Sequence, residues 1–212
     1  IVAIQAHSRQ RLAAISLRTI LNSRGLPNAL MHGAKKCLDN SLALVPQAGH
    51  QLNEASRLME IAKWEEGKGS LFHTMGLLAV CEKRLDEAEL LLNRAVDELE
   101  KWYGPSHPAV ATVLQDLARQ QSYYDEEDRG FVKVEKLYRR VLNIRETKLG
   151  KSHLGVAETL LELGCILRKK GARDSLQECR SLLQRSVDIR TEKLGIYHRR
   201  TIEVRKVLVQ LG

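Results

Sequence analysis

From Leu71 onward the apolar residues recur at steps of three and four, the period that gathers them on one stripe of an α-helix. Phe72, Met75, Gly76 and Ala79 share one face, and Ala88, Leu92 and Ala95 share the face of a second helix expected to begin near Asp86. Leu114, Leu117 and Ala118 restate the first set, and Val134, Tyr138 and Val141 restate the second. The alternation returns once more as Leu160, Leu163, Gly164 and Leu167, followed by Cys179, Leu183 and Ser186. The pattern predicts a chain that is helical from Leu71 to the end, in antiparallel pairs and without strands. Gly76, Ala118, Gly164, Ala88 and Ala95 are small where two helices would cross. Close approach of the backbones explains a glycine inside a helix, where it costs about 1 kcal/mol relative to alanine.

The pairs are punctuated. Gly104, Gly150 and Gly195 lie 46 and 45 residues apart, and His107, His153 and His198 keep the same steps. A period of this size marks a solenoid or similar array of stacked units. Gly104 suits a helix end in the left-handed conformation, and Pro105 blocks continuation. Ser106 is expected to cap the next helix, whose first turn accepts Pro108. The Gly-x-x-His phrase is therefore a helix-to-helix connector.

The segments "DEAELLLNRAVDELEKWYGPSHPAVATVLQDLA" and "KVEKLYRRVLNIRETKLGKSHLGVAETLLELG" resemble the tetratricopeptide repeat (TPR), in the long-linker form found in kinesin light chains and the nephrocystin family. The resemblance runs from about Leu71 to the end. It implies an all-α, right-handed superhelical solenoid of antiparallel helix pairs, with a groove lined by the first helix of each pair. The sequence departs from the pattern where "SYYDEEDRGF" and "KKGARDS" replace the short turn within a pair. Projected onto this sequence, the groove takes Ser70, His73 and Leu77 from one helix, Thr112, Gln115 and Arg119 from the next, and Glu158, Leu161 and Arg168 from the third.

Residues 68–212 are thus expected to form about three TPR-like helix pairs ending in a capping helix, "HRRTIEVRKVLVQLG". Residues 1–67 are expected to hold N-terminal helices, one over Val2 to Ser23 and one degenerate pair. Glu54-Ala55 precedes Glu87-Ala88 by 33 residues, near the standard length of one repeat. The sequence lacks a starting Met and opens as if within a helix, the mark of a piece of a longer protein.

Composition narrows the function. Hydrophobic residues make up 43% and charged residues 28% of the 212, enough for a packed core. No apolar run reaches the roughly 18 residues of a membrane span, and His7, Arg9 and Arg11 interrupt the N-terminal apolar stretch, so it is not a signal peptide. Cys37, Cys81, Cys165 and Cys179 show no paired spacing and fit small buried thiols in a reducing, cytoplasmic compartment. The net charge of +8 is uneven: from Gly130 to Gly212 there are 19 Lys and Arg against 9 Asp and Glu, leaving 15 against 17 in the remainder. Such a basic segment suits an acidic peptide or an acidic surface such as tubulin's. Aromatic residues at 4% and the lack of a recognition motif argue against nucleic acid.

No cofactor, metal or catalytic constellation emerges. Equivalent histidines on neighbouring helix pairs stand about 8–10 Å apart, too far for shared zinc ligation. His73 and Cys81 are eight residues apart on one helix, roughly 12 Å along its axis, so they do not form a thiol–imidazole pair. "EEGKGS" lacks the frame of a phosphate loop. The sequence reads as a non-enzymatic protein-interaction scaffold. The alternatives are the sensor arm of a larger NTPase-type regulator and a structural component of a ciliary or microtubule assembly.

Overall fold

The computed structural model describes residues 31, 35, 45–63, 65–124, 128–171 and 173–211. The expected helix over Val2 to Ser23 lies outside these residues, as do the centre of "SYYDEEDRGF" and Cys37. Among the described residues there is no strand. The helices are α1 (Val45–Ala62), α2 (Lys68–Cys81), α3 (Leu85–Tyr103), α4 (Pro108–Tyr124), α5 (Asp128–Leu149), α6 (Leu154–Lys170), α7 (Arg173–Leu194) and α8 (Arg199–Val209). The protein divides into two compact units, Ile1–Trp102 and Tyr103–Gly212.

In the first unit α1 packs on α2, burying Ala48, Leu52, Ala55 and Met59 against Leu71 and Leu78. Helix α2 runs antiparallel to α3, because Gly69 meets Leu99 while Gly76 meets Leu92. A Cβ on Gly76 would stand 2.9 Å from Cγ and Cδ2 of Leu92, and one on Gly69 would stand 2.7 Å from Leu99 Cγ. These contacts are why glycine is kept within the helix. Leu92 and Ala88 are completely buried beside them. Helix α3 carries Asp86 and Glu87 in its first turn and Lys101 in its last, the arrangement that complements the helix dipole.

In the second unit each helix packs on the next, from α4 to α8. One core joins Ala118 of α4, Val134 and Tyr138 of α5, Leu163 and Leu167 of α6, Leu183 of α7 and Val204 of α8. Removing a leucine side chain from water contributes about 2 kcal/mol, so the apolar stripe read from the sequence supplies most of the driving force. The α6–α7 crossing repeats the device of the first unit. Gly164 lies against Leu183, whose Cγ and Cδ2 would be 3.0 Å from an added Cβ. Around that crossing the Cys179 thiol donates to the Gly164 carbonyl at 3.0 Å, and the buried Ser186 hydroxyl donates to the Ala157 carbonyl at 2.6 Å. The stretch "HRRTIEVRKVLVQLG" contains α8, which packs on α7.

The three Gly-x-x-His connectors share one geometry. Gly104, Gly150 and Gly195 have φ of +83°, +87° and +92°, open to glycine without strain and costly for other residues. In each, the histidine backbone N–H donates to the glycine carbonyl, at 3.3, 3.2 and 3.4 Å. The cap expected from Ser106 is instead made by the histidine. Helix α4 begins at Pro108, so the N-cap position falls on His107, whose Nδ1 accepts from the Ala109 N–H at 3.2 Å. His153 and His198 do the same for the N–H groups of Gly155 and Arg200, at 3.0 and 3.2 Å. Ser106 stands one residue too early. An imidazole nitrogen two bonds out from Cβ reaches the N–H that a Ser or Asp oxygen would otherwise take. The ring of His107 also stacks on Tyr103, with centroids 4.7 Å apart.

Candidate functional site

The first helix of each pair carries the face expected to meet a partner. In the first unit Ser70, His73 and Leu77 all lie on α2: Ser70 is exposed, Leu77 half-buried, and His73 only 8% exposed. In the second unit Thr112, Gln115 and Arg119 lie on α4, and Glu158, Leu161 and Arg168 on α6.

The second unit draws several of these residues into one polar network. Arg119 donates through Nε to Glu162 Oε1 at 2.7 Å and through Nη2 to Glu158 Oε1 at 2.8 Å, and it stands 3.4 Å from Asp116 Oδ1. Gln115 is buried, donates through Nε2 to Glu162 Oε2 at 2.5 Å, and accepts on Oε1 from Arg145 Nη2 of α5 at 2.6 Å. Arg145 Nη1 in turn donates to the Thr159 hydroxyl at 2.7 Å and the Gly155 carbonyl at 3.0 Å. Both polar atoms of the Gln115 amide are thereby engaged. Desolvation holds the Glu162 carboxyl above the ordinary carboxylate range, opposed by its bonds to Gln115 and Arg119. Burial pulls on Arg119 as well, but the carboxylates around it outweigh that and hold its guanidinium above the usual value. Thr112 is half-buried and donates to the Pro108 carbonyl, whereas Arg168 at the end of α6 is exposed.

Between α6, the end of α7 and the start of α8 lies an open pocket of about 310 Å³, lined by Glu158, Leu161, Glu162, Arg190, Arg200 and Glu203 among others. Arg190 is only 7% exposed. Its Nη1 donates to the Arg200 carbonyl at 3.2 Å, while its Nε is buried without an acceptor.

Of the residues named from the sequence, Gln115, Arg119 and Glu158 belong to the network and Leu161 lines the pocket, whereas Asp116, Glu162, Arg145 and Arg190 were not among them. A signal for them existed. Asp116 and Glu162 each fall twelve residues after a connector glycine, and Arg145 and Arg190 each fall five before the next one.

The chemistry of the remaining candidates is structural. The three connector histidines each spend Nδ1 on a helix N-terminus. Cys81, Cys165 and Cys179 are not joined in disulfides, and burial raises Cys165 and Cys179, the opposite of what a nucleophilic thiolate needs. Among the described residues no group of His, Cys, Asp or Glu is placed to hold a metal ion. No described helix is long and apolar enough to cross a membrane.

No family model and no curated protein matches the sequence. Solved structures do. The protein is similar to a putative kinesin light chain with nearly identical TPR-like repeats from Podosopora anserina, with a TM-score of 0.69 at 19% identity over 87% of this chain and 84% of that one. A point variant of the same protein gives the same values. BtubC (BKLC) from P. vanneervenii matches over the same shares of the two proteins, with a TM-score of 0.57 at 12% identity. At these identities the likeness is one of fold alone: an all-α TPR-like repeat of helix pairs.

Proposed function

We propose that this protein is a non-enzymatic scaffold that binds a partner polypeptide along the face of its first helices. The observation that carries this reading is the network of the second unit. Arg145, Gln115, Glu162, Glu158 and Arg119 tie α4, α5 and α6 together through side-chain hydrogen bonds. A face whose polar groups are fixed before binding loses less conformational entropy when a partner docks, which is the advantage of preorganisation. The nine residues Ser70, His73, Leu77, Thr112, Gln115, Arg119, Glu158, Leu161 and Arg168 belong to this face on their own helices. The buried His73 and Gln115 support it from beneath. The excess of 19 basic over 9 acidic residues from Gly130 onward favours an acidic peptide or surface, by steering and by a salt-sensitive gain in association rate. A cytoplasmic setting on cytoskeletal or ciliary structures is the corresponding proposal for location.

Photo-crosslinking residues placed at Thr112 and Arg168, with Val132 and Leu176 as controls on the second helices, test the reading. Val132 and Leu176 are exposed large apolar residues of α5 and α7. Partner adducts confined to the first-helix positions, and weakened by salt, are the expected result. Adducts only at Val132 or Leu176 would remove the first-helix face as the binding surface.

A further inference from the structure

A connector glycine sets the same frame for α4, α6 and α8. The residues seven, ten and fourteen places after it are Ala111, Leu114 and Ala118 in α4, Ala157, Leu160 and Gly164 in α6, and Ile202, Arg205 and Val209 in α8. Steps of three and four put each set on one stripe of its helix. In α6 the stripe is covered by α7: Gly164 lies against Leu183, the Ser186 hydroxyl donates to the Ala157 carbonyl, and Leu160 packs with Ile189. In α4 the stripe is buried as well, with Ala118 in the core beside Val134 and Tyr138 of α5. On α8 it lies open. Ile202 is 38% and Val209 77% exposed, and of this helix only Thr201 and Val204 are buried.

The change of residues says what fits on it. The two covered stripes run small, leucine, small, and the open one runs large, arginine, large. No helix can approach Ile202 and Val209 as closely as α7 approaches α6, where a Cβ on Gly164 would stand 3.0 Å from Leu183. The occupant therefore sets small side chains opposite these two. Between them stands a cation, where α4 and α6 have leucines no more than 2% exposed. Arg205 is half-buried and forms no ion pair or side-chain hydrogen bond among the described residues. A cation that is covered needs a hydrogen-bonded partner of opposite charge, and a carboxylate matches the guanidinium fork. The rest of α8 favours the same sign, with Arg199, Arg200, Arg205 and Lys206 against Glu203, which Arg199 holds at 2.9 Å. A second copy of this protein would set that excess against itself.

We propose that the open stripe of α8 docks an amphipathic helix of a partner protein, packed through small residues on Ile202 and Val209 and through an Asp or Glu side chain on Arg205. This surface lies outside the face of the scaffold reading. On that face Thr112 and Glu158 stand eight places after the connector glycine, Gln115 and Leu161 eleven, Arg119 fifteen and Arg168 eighteen.

Backbone amide NMR of the whole protein reads the docking, with the peptide acetyl-Glu-Ala-Leu-Glu-Ala-Leu-Ala-Glu-Ala-Leu-Glu-Ala-Leu-Ala-amide as the probe. Counterparts with Gln or Lys in place of every Glu keep its apolar stripe and change only the charge. The acidic peptide should shift the amides of Ile202, Arg205 and Val209 saturably, and the Gln counterpart should bind about tenfold more weakly for want of the charge pair. Arg205→Glu should exchange the preference, taking the Lys counterpart in place of the acidic peptide, with the helical circular dichroism unchanged. The proposal is overturned if α8 stays silent with the acidic peptide at millimolar concentration, if the Gln counterpart binds as tightly, or if Arg205→Glu leaves the preference as it was. Two other results also overturn it. Shifts with phosphatidylcholine vesicles containing phosphatidylserine, and none with the peptide, would make the occupant a lipid surface. Shifts with protein concentration alone would make it a second copy. Partner crosslinks at Thr112 and Arg168 with a silent α8 would retain the first-helix face and discard this one. A responsive α8 without crosslinks at those positions would do the reverse.

Discussion

Helices α2 and α6 hold the same place in their respective pairs and solve the same packing problem, yet they present different faces. Each sets a glycine against a leucine of its partner helix, Gly76 on Leu92 and Gly164 on Leu183, at nearly the same spacing. Away from that contact they diverge. Along α2, "KGSLFHTMGLLAVC" carries Lys68 as its one Lys, Arg, Asp or Glu. Its neighbour α3 reaches it with an apolar stripe and with Arg94, whose guanidinium lies 4.2 Å from the centre of the Phe72 ring. Along α6, Glu158 and Glu162 are drawn into bonds with Arg119 and Gln115. The crossing is fixed by shape, while the outward face is free to vary. Shape recurs in the two units because close approach allows few solutions. The polar face differs because the partly buried network lies outside the glycine–leucine crossing and is not dictated by its shape.

The strongest way to break the comparison is at the shared contact. Gly164→Leu should lower stability by about 3 kcal/mol through overpacking against Leu183, read as a fall in the denaturant midpoint. An unchanged midpoint would show that Gly164 is not confined by α7.

The next effect belongs to the face that only the second unit has. Glu162→Ala removes the acceptor of Gln115 Nε2 and Arg119 Nε and should cost about 2 kcal/mol, the scale of hydrogen bonds to a charged group. Ser70→Ala on α2, an exposed position, should stay within about 0.5 kcal/mol. Equal effects of the two substitutions would mean that the network is ornamental.

Alanine scanning of the glycines sharpens the packing half. Glycine to alanine inside a helix is favoured by roughly 0.5–1 kcal/mol when space allows. At Gly164 the added Cβ meets only flexible side-chain atoms of Leu183 at 3.0 Å, and Ala118 fills the same place one repeat earlier. At Gly69 it would meet Leu99 Cγ at 2.7 Å with the Leu99 backbone nitrogen at 3.2 Å. Gly69→Ala should therefore be the more destabilising of the two, by about 1 kcal/mol. The reverse order in thermal unfolding would contradict the spacing of these contacts. A smaller change is expected at the connector, where His153→Ala removes one cap and should cost about 1 kcal/mol, with His153→Asn recovering most of it.

The smallest effect is electrostatic. Burial raises the Glu162 carboxyl, while Arg139 and Lys170 hold Glu135 below its ordinary value despite some desolvation. Side-chain NMR should find Glu162 taking up its proton at the higher pH of the two. The linkage signs are opposite. Ionising Glu162 costs stability as pH rises through its folded value. The stability that Glu135 contributes is present above the ordinary carboxylate pKa and is lost as pH falls below it.

The helices, their pairing and the connectors were legible in the sequence because each rests on local order. A three-four spacing of leucines fixes a helical stripe, and Gly104, Gly150 and Gly195 mark the left-handed turn at fixed intervals whatever lies around them. The identity of the cap is local too, yet residue preference alone points to Ser106. Only the placed backbone shows that the histidine occupies the N-cap and that its ring nitrogen reaches the N–H two residues on. The partners of the charged residues were beyond reach of the sequence. Gln115 and Glu162 are 47 residues apart, Arg119 and Glu162 are 43, and Arg119 and Glu158 are 39. An arginine on a helix reads the same from its neighbours whether it is solvated, saturated as Arg145 is, or left with an orphaned Nε as Arg190 is. That distinction depends on which side chains two other helices bring within about 3 Å, so the sequence by itself determined the scaffold and the tertiary structure decided what each charge on it is free to do.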